Sequence, residues 1–183
     1  DLRTFFRVNV EGTENVLSAC RKAGVKKAVI TSTCMTLGAS SLPRREFQRR
    51  TDGFYCEYEH TKFIAEQLAP NYTASGLPVV TVNPTRVFGP GLLNEGNSVT
   101  KMISLYLKGK WRTVLGDGSA LGNYAFVDDV VKGHWLALRK GRPGEKYILG
   151  GENLSFVEFY FCLGIMSGRH RRMIHVPIPA ALV

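Results

Sequence analysis

Lys27-Ala28-Val29-Ile30-Thr31-Ser32-Thr33 and, after a long polar loop, Glu57-Tyr58-Glu59-His60-Thr61-Lys62-Phe63-Ile64-Ala65-Glu66 decide the fold. The first run is short, β-branched and ends in hydroxyls. It reads as a buried parallel strand with polar groups at its C-terminal end. The second is flanked by Ala and Glu and has no Pro before Pro70, so it reads as a helix. Ligands of open α/β sheets bind at the C-terminal ends of the strands. A hydroxyl there and the next helix in sequence can converge on one substrate oxygen. The spacing of Tyr58 and Lys62 puts both on one helix face, one turn apart. An ammonium beside a phenol favours the phenolate, which lowers the Tyr pKa from about 10 toward working pH. Tyr58 is therefore a candidate general acid/base for a carbonyl or alcohol.

Tyr106 and Lys110 repeat the spacing. There, Thr81 lies inside the strand Pro78–Val82, and Gly109 ends the helix before Lys110. Context favours Tyr58. Further out, Leu2 to about Arg21 is a helix with Leu2, Phe5, Phe6, Val16, Leu17 and Cys20 on its apolar face and Gly24 as its cap. Asn9 and Thr13 fall on that face, and a buried Asn needs partners for its amide. Gly38–Gly53 is a loop rich in Ser, Arg and Pro, placed where substrate contacts are common. The Tyr58 helix is expected to run to about Ala74–Gly76. Ser98–Leu107 is a helix, Trp111–Leu115 and Tyr124–Val127 are short strands, and Gly116–Gly122 is a turn. Asp128–Arg139 is a helix whose first-turn Asp128 and Asp129 suit the helix dipole. Tyr147–Leu149 is a strand, and Ser155 caps a helix ending at Gly168. Strand and helix alternate, which means α/β with a parallel sheet.

The 183 residues suit a chain with a sizeable core, and 44% are hydrophobic. No apolar run approaches the roughly 20 residues of a membrane span, so no membrane association is expected. Cys20, Cys34, Cys56 and Cys162 are scattered and read as reduced thiols of a cytoplasmic protein, with no metal site. The net charge is +9, gathered in Arg44-Arg45, Arg49-Arg50 and Arg169-His170-Arg171-Arg172. These read as a solvated loop and a solvated helix end. No nucleic-acid-binding signature accompanies them, so no nucleic-acid partner is expected. His60 points away from Tyr58, and His134 reads as a satisfied core histidine.

Asn9-Val10-Glu11-Gly12-Thr13, Thr31-Ser32-Thr33, the Tyr58/Lys62 pair, Asn83-Pro84-Thr85-Arg86-Val87-Phe88-Gly89-Pro90-Gly91 and Phe126-Val127-Asp128-Asp129-Val130 occur in this order. The order resembles the extended short-chain dehydrogenase/reductases, the NAD-dependent epimerase/dehydratase family. Tyr147-Ile148-Leu149-Gly150-Gly151-Glu152-Asn153 and Gly133-His134 look most like the dihydroflavonol-reductase-like branch. The resemblance runs to about Pro179. It implies a partial Rossmann-type doubly wound parallel sheet. Residues 1–88 would be the C-terminal part of the dinucleotide-binding domain. Residues 89–183 would be a substrate-binding segment with returning Rossmann elements. It also implies NAD or NADP as cofactor. Thr33, selected among Thr31, Ser32 and Thr33 by alignment with Thr36-Leu37-Gly38, would place the substrate oxygen. Tyr58 would pass the proton, and Lys62 would tune it and bond the nicotinamide ribose. Tyr58, Lys62, Pro84 and Val87 would face the cofactor, and Asn9 would brace the neighbouring strand and the active-site helix.

A dinucleotide fold opens with a strand, a Gly-rich turn and a helix. Gly116-Asp117-Gly118-Ser119-Ala120-Leu121-Gly122 is the nearest match, but strand-like residues follow it instead of a helix. The sequence therefore reads as a segment of a longer protein, or a partial reading frame, and binds cofactor weakly by itself. The leading function is hydride transfer between a nicotinamide cofactor and a small molecule bearing a carbonyl or secondary alcohol. A nucleotide-sugar epimerase or dehydratase is the alternative enzyme. Gly122-Asn123 stands where such enzymes carry an Arg for the diphosphate, which argues for a substrate without one. A non-catalytic NAD(P)-binding sensor or scaffold is the reading from another class, and a homodimer is the candidate assembly.

Overall fold

The computed structural model describes residues 1–40, 43–93 and 96–177. Ser41 and Leu42 of the long loop, and Ile178 and Pro179 at the end of the resemblance, lie outside the described residues. The chain divides into two compact units, residues 1–85 with 129–149, and residues 86–128 with 150–183.

The first unit is built on a parallel sheet in the order β1 (Ala28–Thr31), β2 (Val79–Pro84), β6 (Lys146–Leu149). The register sets Ala28 against Val79, and Thr81 against Lys146. All six residues of β2 are buried, as a central parallel strand requires. Pro84, which cannot donate to a ladder, is confined to its last position. On one face Val79 packs with Leu17, Ala69, Tyr72 and Leu77. On the other, Val80 and Val82 pack with Ala137 of α6 (Val127–Lys140). Helices thus cover both faces of this sheet, the doubly wound arrangement.

The first helix departs from expectation. It runs as α1 (Leu2–Phe5), a π-helical stretch Phe6–Glu11 and α2 (Gly12–Lys22). Leu17 and Val10 are buried, whereas Leu2, Phe5, Phe6 and Val16 are exposed. One extra residue in a turn rotates everything after it by about 100°, so an unbroken 3.6-residue stripe misassigns the inner face. The Tyr58 helix is also shorter than expected. It is α3 (Glu57–Glu66), followed by a separate α4 (Leu68–Ala74). Pro70 has no N–H for the carbonyl of Glu66, so the helix stops and restarts with Pro70 in a first turn, where proline is tolerated.

The second unit holds β3 (Arg86–Phe88), β5 (Leu121–Phe126) and β7 (Glu152–Ser155), and a parallel pair, β4 (Thr113–Leu115) with β8 (Ile174–Val176). β5 runs parallel to β3 but antiparallel to β7, so this second sheet is mixed. The strands β3, β7 and β8 are only three or four residues long, too short for a periodic signal, which is why their sequence does not announce them. Leu121 and Gly122, expected in a turn, open β5, while Trp111 and Arg112 precede β4. The core joins Val99 and Tyr106 of α5 (Ser98–Leu107) to Val114, Tyr124 and Phe159 and Tyr160 of α7 (Phe156–Ser167). Ser155 caps α7 in a reciprocal box with Glu158, and Gly168 closes it in the left-handed conformation. No helix among the described residues is long and apolar enough to cross a membrane. Among the described residues no disulfide joins the four cysteines.

Candidate functional site

The C-terminal ends of β1 and β2 organise the site in the first unit. After Thr31 the chain stays on the sheet for one more bond, Ser32 N donating to Val82 O at 2.7 Å. Thr33 is extended and caps a 3₁₀ turn, Cys34–Leu37, with its Oγ1 accepting from Met35 N at 3.3 Å. The three hydroxyls that compete in the sequence are thereby separated. Thr31 Oγ1 lies 2.9 Å from His134 Nε2. His134 Nδ1 lies 2.8 Å from the Val130 carbonyl, a pure acceptor, so Nδ1 carries the proton and Nε2 accepts from Thr31. Ser32 Oγ is buried without a partner among the described residues. Thr33 spends its oxygen on the turn and keeps its own proton for a further acceptor. His134 has both ring nitrogens satisfied within the protein, as read from its apolar helix.

Tyr58 and Lys62 sit on α3, which packs against the Thr33 turn. Asn9 Nδ2 donates to Thr61 Oγ1 at 3.0 Å, so the π-helical stretch braces α3. Among the described residues its side chain makes no bond to β1, so the bracing is of the helix alone. Lys62 Nζ donates to the Thr31 carbonyl at 2.6 Å, bridging α3 to the end of β1. The expected effect of Lys62 on Tyr58 is not met. Burial pushes the Tyr58 phenol above its ordinary value, and the Cys34 and Cys56 thiols push the same way. Burial likewise lowers the Lys62 ammonium, with Glu66 partly offsetting it. Helical spacing aligns the two Cα positions, but a long flexible lysine goes to the best acceptor in reach, here a backbone carbonyl. Two N–H donors of Lys62 remain for other groups.

Pro84 ends β2 opposite Leu149, in the same unit as Thr33, Tyr58 and Lys62. Val87 belongs to the second unit, in β3 beside Ala125 of β5. The rival Tyr106 is 1% exposed and donates its hydroxyl to Arg169 O at 2.9 Å, a core tyrosine of the second unit. Asp128 and Asp129 are exposed at the start of α6, and Asp129 pairs with Lys132. Among the described residues no group of three His, Cys, Asp or Glu side chains could hold a metal ion.

Three residues escaped the sequence reading. Glu66, one turn beyond Lys62, is buried and accepts from Asn83 Nδ2 at 2.6 Å and Thr36 Oγ1 at 2.7 Å. The spacing of four, continued past Lys62 on a face shared with Thr61 and Ala65, is the signal that could have found it. Arg50, in the long loop, is buried with Glu59 at 2.6 Å. No local pattern distinguishes Arg50 from its neighbour Arg49. In the second unit, the Arg86 guanidinium fills the space that a side chain on Gly122 would take, 2.7 Å from its Cβ position. The strand position that lacks an Arg of its own, Gly122, is covered by the Arg86 guanidinium from β3.

The model of the NAD dependent epimerase/dehydratase family matches residues 1–150. The chain is 30% identical over 175 residues to a putative dihydroflavonol 4-reductase of Synechocystis sp., covering 92% of this chain and 50% of that protein. It is 32% identical over 143 residues to a decarboxylating sterol-4-alpha-carboxylate 3-dehydrogenase of Homo sapiens, covering 73% of this chain and 36% of that protein. The dTDP-glucose 4,6-dehydratase of Bacillus anthracis, solved in complex with NAD, superimposes with a TM-score of 0.81 at 26% identity, covering 97% of this chain and 58% of that one. The chain spans about half the length of the curated relatives it matches. With the family pattern matched over residues 1–150, most of its length, the chain belongs to the NAD dependent epimerase/dehydratase family.

Proposed function

We propose that the chain carries the acid–base part of an NAD(P)-dependent oxidoreductase acting on a carbonyl or secondary alcohol. One observation carries the reading. The strand-end hydroxyl that caps the turn, Thr33, stands on a turn packed against the helix of Tyr58, and Lys62 ties that helix to the same strand end. Thr33 donates to the substrate oxygen and orients it. Tyr58 gives that oxygen its proton in reduction and takes it back in oxidation. A phenol raised by burial is held protonated, the form a reduction consumes. Lys62 supplies positive charge beside a phenolate that forms. Its two uncommitted N–H groups, with Tyr58 and Pro84, would hold the cofactor, as the family's nicotinamide contacts imply. NAD or NADP supplies the hydride when bound.

The test is cofactor oxidation by the full-length protein with a dihydroflavonol as the carbonyl probe, the substrate type in the name of the Synechocystis relative. Tyr58→Phe keeps the ring and removes the proton. Turnover should fall on the order of 10²–10⁴-fold with cofactor affinity little changed. Turnover near that of the unaltered protein would refute Tyr58 as the acid/base. Tyr106→Phe is the matched control and should leave turnover unchanged.

Arg86 favours a second reading, a nucleotide-sugar epimerase or dehydratase. Its guanidinium over Gly122 offers the fork that a diphosphate needs. Turnover of dTDP-glucose that is lost in Arg86→Ala would select it; indifference to dTDP-glucose would reject it.

A further inference from the structure

Glu66 is 5% exposed, yet it is a carboxylate. Burying one is costly unless several donors meet it. Three do, each from a different element. Asn83 Nδ2 comes from the end of β2 and Thr36 Oγ1 from the turn after β1, both to Oε1. Lys146 Nζ comes from the start of β6, to Oε2 at 3.1 Å. Apolar side chains of similar volume would stabilise such a core as well or better. They could not orient a peptide group, which this network does. Asn83 Nδ2 also donates to the Thr33 carbonyl at 3.0 Å, and Thr36 Oγ1 lies 2.8 Å from the same oxygen. The one proton of Thr36 goes to Glu66 or to this carbonyl, so the peptide of Thr33 is tied to α3 through Asn83, which reaches both the carbonyl and Glu66, and Thr36 closes the same cluster. The carboxylate also favours the charged form of Lys62, one turn back on the same helix.

We propose that Glu66 is a positioning residue. Through Asn83 and Thr36 it holds the Thr33 turn in register with the helix that bears Tyr58 and Lys62. This rests on the roles given above to Thr33, Tyr58 and Lys62. In the full-length protein, Glu66→Ala should lower kcat on the order of 10²-fold, as a misplacement of about 1 Å does, with KM for the cofactor moving less than about threefold. Glu66→Gln keeps an oxygen for Asn83 and Thr36 and should restore kcat to within about threefold of the unaltered protein. Unchanged kcat in folded Glu66→Ala, with only a lower melting temperature, would overturn the proposal. Should that variant fail to fold, Asn83→Ala cuts the link from the other end. It leaves Glu66 with Thr36 and Lys146, and must show the same loss of kcat.

Amide exchange gives a readout independent of turnover. Thr36 N and Gly38 N are bonded within the turn, to Thr33 O at 3.3 Å and Met35 O at 3.1 Å. Both should exchange faster in Glu66→Ala. Undiminished protection sinks the Glu66 proposal whatever Tyr58 does. Normal turnover by Tyr58→Phe, or turnover of neither the dihydroflavonol nor dTDP-glucose by the unaltered protein, sinks the reading of the site. The exchange result then decides the role of Glu66 alone.

Discussion

Replacing Arg50 by Met should destabilise the first unit by about 4 kcal/mol, within the 3–5 kcal/mol range for breaking one side of a buried ion pair. The side chains of Arg50 and Glu59 are 4% and 2% exposed, with Nη2 2.6 Å from Oε1. The same guanidinium donates to Met35 O at 2.9 Å, to Asp52 O at 3.0 Å and to Gly53 O. It lies 4.4 Å from the centre of the Phe54 ring, a contact worth about 0.5–2 kcal/mol. Arg50→Met spares the volume and removes every donor. It leaves Glu59 with one bond, from Tyr55 N at 2.8 Å. The loss is large against a total stability of about 5–15 kcal/mol. The assay is urea unfolding followed through Trp135, which belongs to the first unit. Arg50→Met/Glu59→Met closes a double-mutant cycle. It removes the stranded carboxylate and should recover part of the loss, with a coupling of about 2 kcal/mol. A single-variant effect under about 1 kcal/mol, or strict additivity in the cycle, would refute the pair as the anchor of the long loop on α3.

The Tyr58 phenol has a raised pKa, so the folded chain holds its proton where the unfolded chain releases it. Stability should fall as pH rises above 10.0, the ordinary value, and Tyr58→Phe should fall less steeply there, read as the difference between the two melting curves. Equal slopes would contradict the burial of the phenol. Tyr106→Phe strands the Arg169 carbonyl and should cost about 1 kcal/mol in chemical unfolding, although it spares turnover. In Gly151→Ala the new methyl meets the backbone oxygen of Tyr124, so the variant should be destabilised by about 1–3 kcal/mol, and an unchanged melting temperature would count against the pairing of β5 with β7.

The sequence by itself determined the elements whose signal is local. Pro78–Val82 reads as a buried strand because it is an apolar, β-branched run, and the structure places the strand at Val79–Pro84. Ser155 announces a helix because its cap and Glu158 are three residues apart. Tyr58 and Lys62 are legible because one helical turn is a fixed spacing, and the order of five motifs carried the family. Tertiary structure decided the rest. The π-helical stretch, the short strands β3, β7 and β8, and the antiparallel β7 depend on partners far away in the chain. So does the direction of the Tyr58 shift, because burial is set by what packs over the ring and not by the lysine four residues on. Residue type alone does not separate Thr31, Ser32 and Thr33, and that His134, 103 residues beyond Thr31, occupies the first of them is seen only in the fold. The roles of Glu66 and Arg50 were hidden for the same reason. A charged residue on a helix or in a loop looks solvated until the fold brings donors and acceptors to it from other elements, and only three-dimensional proximity supplies those.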